Sequence, residues 1–371
     1  AVAVVVVVVV AAWALQPTSL TAMRQRGGAA QHAEELAGDD DDPKTVRAKA
    51  RQQEQDMAPY VLGFVVLVLV SVVGLLTWSH PHVDFHNAPP SKLSLTPEEV
   101  SAHLQNHTVL HIGGLHRSGT TLIAHWLAKH GDVAGLEHQP GADMRKATWI
   151  KRVMSEGIFL QTVYPKFGLD HDKFLIRKWI GQFAKKIPFL SEDAFPWMKL
   201  REGVGRFALH PNHHLDEGTP LVNSRAQAHL FAEWAWFWHL EKKVLLEKSP
   251  SNVVISPFLH ALWGLNQTKS PAKFIFVQRH PIIVAIATQR RGGMMVDDLS
   301  IGDLVEHWVA AEERRARDVR QYFEMDESRS GAYRMVTMED ILENPRKVLS
   351  ELLTWLELSE NEELLKGFEA V

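Results

Sequence analysis

The sequence has no cysteine among its 371 residues. This absence excludes disulfide bonds, thiolate metal ligands and cysteine nucleophiles from any account of the protein. Because proteins of the secretory pathway often carry disulfides, the absence favours a reducing compartment, although it does not exclude an oxidising one.

A large charge of one sign is also absent. The 40 Lys and Arg side chains nearly balance the 44 Asp and Glu side chains, so the formal net charge is only −4. A balance this close to zero does not indicate a general nucleic-acid-binding surface, and we expect no nucleic acid partner. The hydrophobic content of 46% is that of an ordinary globular protein, so a folded core is expected.

The first 59 residues show no pattern of a folded domain. Residues 1–15 are apolar and rich in valine, but they are short for a membrane span and no basic residue precedes them. We leave this stretch unassigned. Residues 16–58 are polar, include the acidic run Asp39–Asp42 and have no sustained hydrophobic period, which is typical of disorder. We therefore predict a disordered tail over residues 1–59.

Residues 60–78 form a run of 19 residues without a charge. At about 1.5 Å per residue, a helix of this length covers the roughly 30 Å hydrocarbon core of a bilayer. A buried core helix is the alternative, but the length and purity of the run favour a transmembrane helix. The cations before it are Lys44, Arg47, Lys49 and Arg51, and the next cation after it is Lys92. The positive-inside rule then predicts a cytosolic tail and a single-pass type II topology, unless residues 1–15 also span the membrane.

A globular domain is predicted to follow the membrane helix. Residues 79–95 contain three prolines and are typical of a stem between membrane and domain. The next residues resemble a helix start, with Thr96 as the N-cap, Pro97 at the first helical position and Glu99 at the third. We assign residues 96–371 to one domain.

A strand, a glycine-rich turn and a helix follow one another between residues 108 and 130. Backbone N–H groups in such a turn, together with the helix dipole, make a cradle for an anion. Gly114 and Gly119 have the spacing of a phosphate-binding loop, but Thr120 stands where a nucleotide hydrolase carries lysine. The cation lies earlier, at Arg117. The pattern predicts a phosphate site without the usual lysine and magnesium, and a turn with no ligand is the alternative.

Three further apolar runs end in charged residues that would meet at one edge of a parallel sheet. Residues 132–136 lead to Glu137, residues 244–246 lead to Glu247 and Lys248, and residues 273–277 lead to Arg279. Ligands of open α/β sheets bind at the carboxyl ends of the strands. A solvated loop carboxylate at Glu137, a surface lysine at Lys248 and the acidic strand end of a nucleotide hydrolase at Glu247 are the alternatives.

In the rest of the domain, the spacing of apolar residues is typical of helices and strands. Residues 225–243 are predicted as one helix with a tryptophan-rich stripe, which core packing explains better than sugar stacking. Residues 304–323 predict an amphipathic helix on the sheet, and residues 333–337 predict a last short strand.

The motifs in this order resemble a known family. The string Arg117-Ser118-Gly119-Thr120-Thr121 is similar to the 5′-phosphosulfate loop of sulfotransferases that use 3′-phosphoadenosine 5′-phosphosulfate (PAPS), especially the Golgi membrane-bound kinds. Lys248-Ser249-Pro250 and Arg279-His280-Pro281 follow in the family's order, and the resemblance covers about residues 105–360. It implies an α/β, P-loop-type three-layer fold with a central parallel sheet flanked by helices, here with an N-terminal transmembrane helix.

The resemblance also implies roles for individual residues. Glu137, Lys248 and Arg117 would be catalytic, with Glu137 placed as in protein-tyrosine sulfotransferases, the nearest kind in motif. The donor would be bound by Arg117, Ser118, Gly119, Thr120, Thr121, Leu122, Arg279 and Thr288. Two positions depart from the family. Pro250 stands where cytosolic members have their base histidine, and Ala287 stands where the 3′-phosphate serine is expected, with Thr288 the nearest hydroxyl.

The implied activity is transfer of a sulfuryl group from PAPS, used as co-substrate, to an acceptor hydroxyl on protein tyrosine or carbohydrate, with no metal required. The implied location is the Golgi membrane with the catalytic domain lumenal, and a homodimer is allowed. Glycosylation sequons at Asn106 and Asn266 give weak support to a lumenal domain. Two rival functions stay open: a membrane-bound P-loop kinase or nucleotide hydrolase, and a catalytically weak binding domain on the sulfotransferase fold.

Overall fold

A computed structural model describes six parts of the chain: residues 94–136, 156–167, 203–292, 296, 299–360 and 362–369. The tail, the membrane helix and nearly all of the stem predicted above lie outside these parts, so those assignments stay predictions. Within the described residues, no helix is both long enough and apolar enough to cross a membrane.

Apolar runs in the described chain pair into one five-stranded parallel sheet. The strands are β1 (Thr108–Gly113), β2 (Val133–Ala134), β3 (Val244–Lys248), β4 (Ala272–Gln278) and β5 (Tyr333–Thr337). Their order across the sheet is β2-β3-β1-β4-β5, and each adjacent pair runs parallel. The strands predicted from apolar runs are thus confirmed, including the last one at residues 333–337.

The register brings the ends of the three central strands to one edge. Ile112 of β1 lies opposite Lys248 of β3 on one side and Ile275 of β4 on the other. The segments that follow β1, β3 and β4 therefore begin at nearly the same level of the sheet. This edge carries the glycine-rich turn, Lys248 and Arg279.

Ten α-helices are described around this sheet. They are α1 (Pro97–Asn106), α2 (Thr120–Leu127), α3 (Ser224–Ala235), α4 (Asn252–Gly264), α5 (Pro281–Arg291), α6 (Ile301–Asp318), α7 (Glu327–Ser330), α8 (Met338–Glu343), α9 (Pro345–Trp355) and α10 (Glu362–Glu369). Short 3-10 turns lie at Gly157–Phe159 and Pro211–His213, and a π-helical turn, Val319–Phe323, continues α6.

Local sequence explains several helix starts. Thr96 forms the predicted cap of α1, and Glu99 completes a reciprocal capping box with it. Ser300 and Asp303 make the same arrangement at the start of α6. These pairs satisfy N–H groups that the first helical turn leaves without a partner.

Two predicted helices are shorter than expected. Helix α2 ends at Leu127 instead of residue 130, and α3 ends at Ala235 instead of residue 243. After α3 the chain turns back to enter β3, and the Trp238 indole donates to the carbonyl of Leu246 in that strand at 2.9 Å. Trp238 continues the helical spacing of the sequence, but it lies after the helix and holds the following turn to β3.

Apolar side chains cover both faces of the sheet. Successive residues of β1 alternate between two buried clusters, with Val109 in one and Leu110 in the other. The first cluster includes Trp234 of the predicted tryptophan stripe, so core packing accounts for that residue. The fold is α/β, with a central parallel sheet flanked by helices, as predicted.

The joint between β1 and α4 supplies a test of this packing. A Cβ atom at Gly113 would lie 2.8 Å from the backbone nitrogen of Val253 in α4. We expect Gly113→Ala to lower the free energy of unfolding by about 1–3 kcal/mol, the usual cost of overpacking, in urea denaturation of the purified protein. Gly331→Ala is the matched control, because Gly331 has φ −83° and nothing within 4 Å of the added atom. Equal unfolding midpoints for the two variants would contradict the described packing.

Candidate functional site

The glycine turn, residues Gly114–Gly119, joins β1 to α2 in a conformation that needs its glycines. Gly114 has φ +145° and Gly119 has φ +110°, both in the range that side chains rarely adopt. A Cβ at Gly114 would lie 2.2 Å from the backbone oxygen of Val277 in β4. The turn is therefore pressed against the end of β4. Arg117, also left-handed at φ 71°, is exposed at its tip.

The turn contains polar groups that are suited to an anion. Ser118 is only 1% exposed, and its Oγ atom is buried without a hydrogen-bond partner among the described residues. The N–H groups of Thr120 and Thr121 begin α2 and have no acceptor within the helix. A buried hydroxyl without a partner among the described residues, beside a helix N-terminus, suits a ligand with acceptor oxygens.

Two residues predicted to bind the donor also make contacts within the fold. The N–H of Leu122 donates to the carbonyl of Gly119 at 2.9 Å, and its side chain packs against the buried cluster on that face. The side chain of Thr120 is buried, with its methyl group beneath Gly114. Both residues therefore support the turn, and their contacts with a donor stay predictions.

Arg279 and Thr288 reach the turn from the other side. The Arg279 guanidinium donates from Nη1 to the carbonyl of Arg117 at 3.2 Å. The Thr288 hydroxyl lies 3.4 Å from the carbonyl of His116, a long hydrogen bond. Both residues, predicted to hold the 3′-phosphate, thus contact adjacent carbonyls of the turn that is predicted to hold the 5′-phosphosulfate.

The topology explains why this place can hold a ligand. The chain leaves β1 toward β2 on one side of the sheet and leaves β4 toward β5 on the other. Where neighbouring connections diverge in this way, a crevice opens beyond the carboxyl ends of the strands. The glycine turn and Arg279 border that crevice.

A buried carboxylate lies in β3, one residue before Lys248. Glu247 is 0% exposed, and its two oxygens meet four polar groups. Oε1 accepts from the N–H of Gly157 at 2.9 Å and the hydroxyl of Ser249 at 2.5 Å. Oε2 accepts from the amide of Asn252 at 2.6 Å and lies 3.1 Å from Nδ1 of His111. This side chain is fully engaged in joining elements of the fold.

The hydrogen bonds fix which nitrogen of His111 carries its proton. The Trp263 indole, which can only donate, lies 2.8 Å from Nε2 of His111. Nε2 is therefore the acceptor, and Nδ1 carries the hydrogen and donates to Glu247. The chain Trp263–His111–Glu247 ties α4, β1 and β3 together inside the sheet.

Lys248 follows this carboxylate and lies at the crevice. Its side chain is 2% exposed, and Nζ lies 2.6 Å from Oε1 of Glu156. Burial raises the pKa of the Glu156 carboxyl, while the Lys248 ammonium acts in the opposite direction. Sequence reasoning missed Glu156, because no strand end or motif marks it.

The ring of His116, within the glycine turn, was also missed. Its Nδ1 is buried without a partner among the described residues, and the ring lies 5.3 Å from that of Phe167. Burial and the nearby charges of Lys248 and Arg117 lower the pKa of His116 to about 3. The imidazole is therefore neutral near physiological pH.

Glu137, the predicted catalytic carboxylate, lies outside the described residues. Of the other predicted site residues, the structure brings together Arg117, Ser118, Lys248, Arg279 and Thr288. It adds Glu156 and His116, which the sequence did not predict, to this site. Within the described parts of the chain, no three metal-binding side chains gather into a cluster.

Comparison with known proteins gives the family. The sequence model of the sulfotransferase family matches residues 110–362, well over half of the chain and all of the strands but part of β1. No curated protein matches the sequence.

Solved structures similar to this chain include three with low identity. A sulfotransferase of Mycobacterium tuberculosis is 13% identical, with 73% of this chain and 76% of that chain covered and a TM-score of 0.40. The sulfotransferase domain of the Synechococcus PCC 7002 olefin synthase is 20% identical, with 70% and 76% covered and a TM-score of 0.35. Retinol dehydratase, solved with androsterone and inactive cofactor PAP, is 11% identical, with 76% and 65% covered and a TM-score of 0.30. The assignment rests on the family match: the chain belongs to the sulfotransferase family.

Proposed function

We propose that this sulfotransferase moves a sulfuryl group from PAPS to an acceptor hydroxyl. The observation that carries the proposal is the glycine turn, in which the buried Ser118 hydroxyl has no hydrogen-bond partner among the described residues and the Arg279 guanidinium bonds the Arg117 carbonyl. A donor with one phosphate on each side of its ribose suits two anion-binding groups this close together.

The turn would hold the 5′-phosphosulfate. Its donors are the Ser118 and Thr121 hydroxyls and the first N–H groups of α2, as in a P-loop. Arg279 would bind the 3′-phosphate. Thr288 would assist there, in place of the serine that the family has at position 287, by turning its hydroxyl from the His116 carbonyl to the phosphate.

Fixed cations would stabilise the charge that develops on the leaving phosphate. Lys248 is buried at the crevice and Arg117 stands at the tip of the turn. Donors fixed before the reaction stabilise such charge without reorganising. The sulfuryl group carries less charge than a phosphoryl group, so we propose that these cations suffice without a metal.

The nucleotide hydrolase or kinase alternative is less well supported. It would use the acid at the end of β3 to help hold magnesium. Glu247 is instead enclosed by four polar partners inside the fold. Freeing its oxygens for a metal would leave several buried donors without an acceptor, which is costly.

The setting and acceptor are proposed from the sequence. The charge-free run at residues 60–78 and the cations before it support a single-pass type II protein of the Golgi membrane with a lumenal catalytic domain. The acceptor is a hydroxyl of protein tyrosine or carbohydrate. Glu137 is the sequence-predicted group to take its proton, and a homodimer remains part of the proposal.

A binding and transfer assay separates the proposed function from both rivals. We expect the purified protein to bind adenosine 3′,5′-bisphosphate (PAP) in calorimetry and to transfer radiolabelled sulfate from PAPS to tyrosine peptides or polysaccharides. Both results should persist in EDTA. Magnesium-dependent ATP hydrolysis without PAP binding would favour the hydrolase. PAP binding without transfer to any acceptor or to water would favour the weak binding domain.

The role of Arg279 gives a sharper prediction. We expect Arg279→Gln to weaken PAP binding by about ten- to a hundredfold, the value of a charge-assisted hydrogen bond, because the 3′-phosphate loses its cation. Binding of AMP, which lacks that phosphate, should change little. Calorimetry with both nucleotides measures the difference.

Arg320→Gln is the control for loss of one positive charge, because Arg320 is exposed beyond α6. It should leave both affinities unchanged. If Arg279→Gln weakened AMP as much as PAP, Arg279 would act through the shape of the glycine turn and not on the 3′-phosphate.

A further inference from the structure

A second carboxylate stands at the crevice beside Lys248. Oε1 of Glu156 lies 2.6 Å from the Lys248 ammonium, and 12% of the Glu156 side chain remains exposed. This carboxylate is thus in contact with the cation that would face the transferring group, and an incoming molecule can still reach it.

The backbone after Glu156 is fixed at two points. The N–H of Gly157 donates to Glu247 at 2.9 Å, and the N–H of Ile158 donates to the Ser249 hydroxyl at 2.9 Å. A Cβ at Gly157 would lie 2.4 Å from Cγ of Glu247, so only glycine fits. The Trp234 indole also donates to the Gly157 carbonyl at 3.0 Å. Glu156 is therefore held in place at the end of β3.

The charges around Glu156 change when a donor arrives. In the free protein, the Lys248 ammonium partly offsets the rise in the Glu156 pKa that burial causes. An anionic donor at the same ammonium weakens that offset, so the carboxylate binds a proton more readily. Its basicity would therefore rise when the donor is in place.

The other groups near Lys248 are less suited to accept a proton. His116 has a pKa of about 3, which makes its imidazole a weak base near neutral pH. Pro250 has no group that could act. Glu247 is fully enclosed by its partners.

We propose that Glu156, instead of the sequence-predicted Glu137, is the catalytic base of this enzyme, taking the proton of the acceptor hydroxyl as that oxygen attacks sulfur. The inference rests on the proposed function. In the step, the bond between the acceptor oxygen and sulfur forms and the bond between sulfur and the bridging phosphate oxygen breaks. The electron pair leaves with PAP, the hydroxyl proton passes to the Glu156 carboxylate, and Lys248 stabilises the charge on the leaving oxygen.

The test compares Glu156→Gln with Glu137→Gln in the full chain. We expect Glu156→Gln to slow release of radiolabelled sulfate from PAPS, to water or to an acceptor, by roughly two to four orders of magnitude. PAP affinity in calorimetry should stay within about threefold of wild type, because the amide keeps the size and an oxygen acceptor for Lys248. Glu313→Gln, an exposed carboxylate on α6, should change neither quantity.

Chemical rescue separates a base from a residue that only positions Lys248. Formate should restore turnover to Glu156→Ala by supplying a carboxylate in the vacated space, whereas chloride, an anion of negligible basicity, should not.

Wild-type turnover in Glu156→Gln would overturn the inference. So would an equal loss of PAP affinity and turnover, rescue of Glu156→Ala by chloride as well as formate, or a loss of turnover seen only in Glu137→Gln. A wild-type protein that neither binds PAP nor releases sulfate from PAPS would instead overturn the proposed function, and the role of Glu156 with it.

Discussion

The site depends on one buried carboxylate, that of Glu247. A carboxylate without water is tolerated only where donors surround it, and Glu247 receives them from β1, the start of α4 and the Gly157 turn. Each donor comes from a segment that borders the crevice. The donors that surround Glu247 therefore fix the positions of Lys248, Glu156 and β1, the strand that leads into the glycine turn. The acid that resembles a metal ligand in the sequence is a structural centre in the fold.

The glycine turn adds a second constraint from the opposite side. Gly114 packs on the end of β4, and Arg279, which leaves that strand, bonds the Arg117 carbonyl. One contact shapes the turn, and the other places a guanidinium beside it. Because both come from the same strand end, the two groups that we propose bind anions are built as a unit. A ligand that spans them would bind a rigid surface and lose little free energy to ordering it.

The sequence predicts the elements that depend on residues close together along the chain. Buried parallel strands are continuous apolar runs, so such runs predict β1, β3, β4 and β5. The pair Thr96 and Glu99 predicts the start of α1. The role of Glu156 could not be predicted from the sequence. Its position depends on hydrogen bonds from the next two residues to Glu247 and Ser249, some 90 residues away along the chain. The end of α3 was missed for a similar reason, since Trp238 serves β3 through a contact that helical spacing cannot reveal. Glu137 stays a prediction.

Pro250 shows how the position of the base and the shape of the turn are linked. Its carbonyl accepts the N–H of Gly114 at 3.2 Å, and the N–H of Ser249 donates to the carbonyl of Ile112 at 3.2 Å. The residues after Lys248 are therefore used to join β3 to the glycine turn. Because proline, which has no side chain that could act, stands two residues after Lys248, the base that we propose comes from another segment. The Gly157 turn is such a segment: Glu247 and Ser249 hold it against β3, and its first carboxylate already touches Lys248.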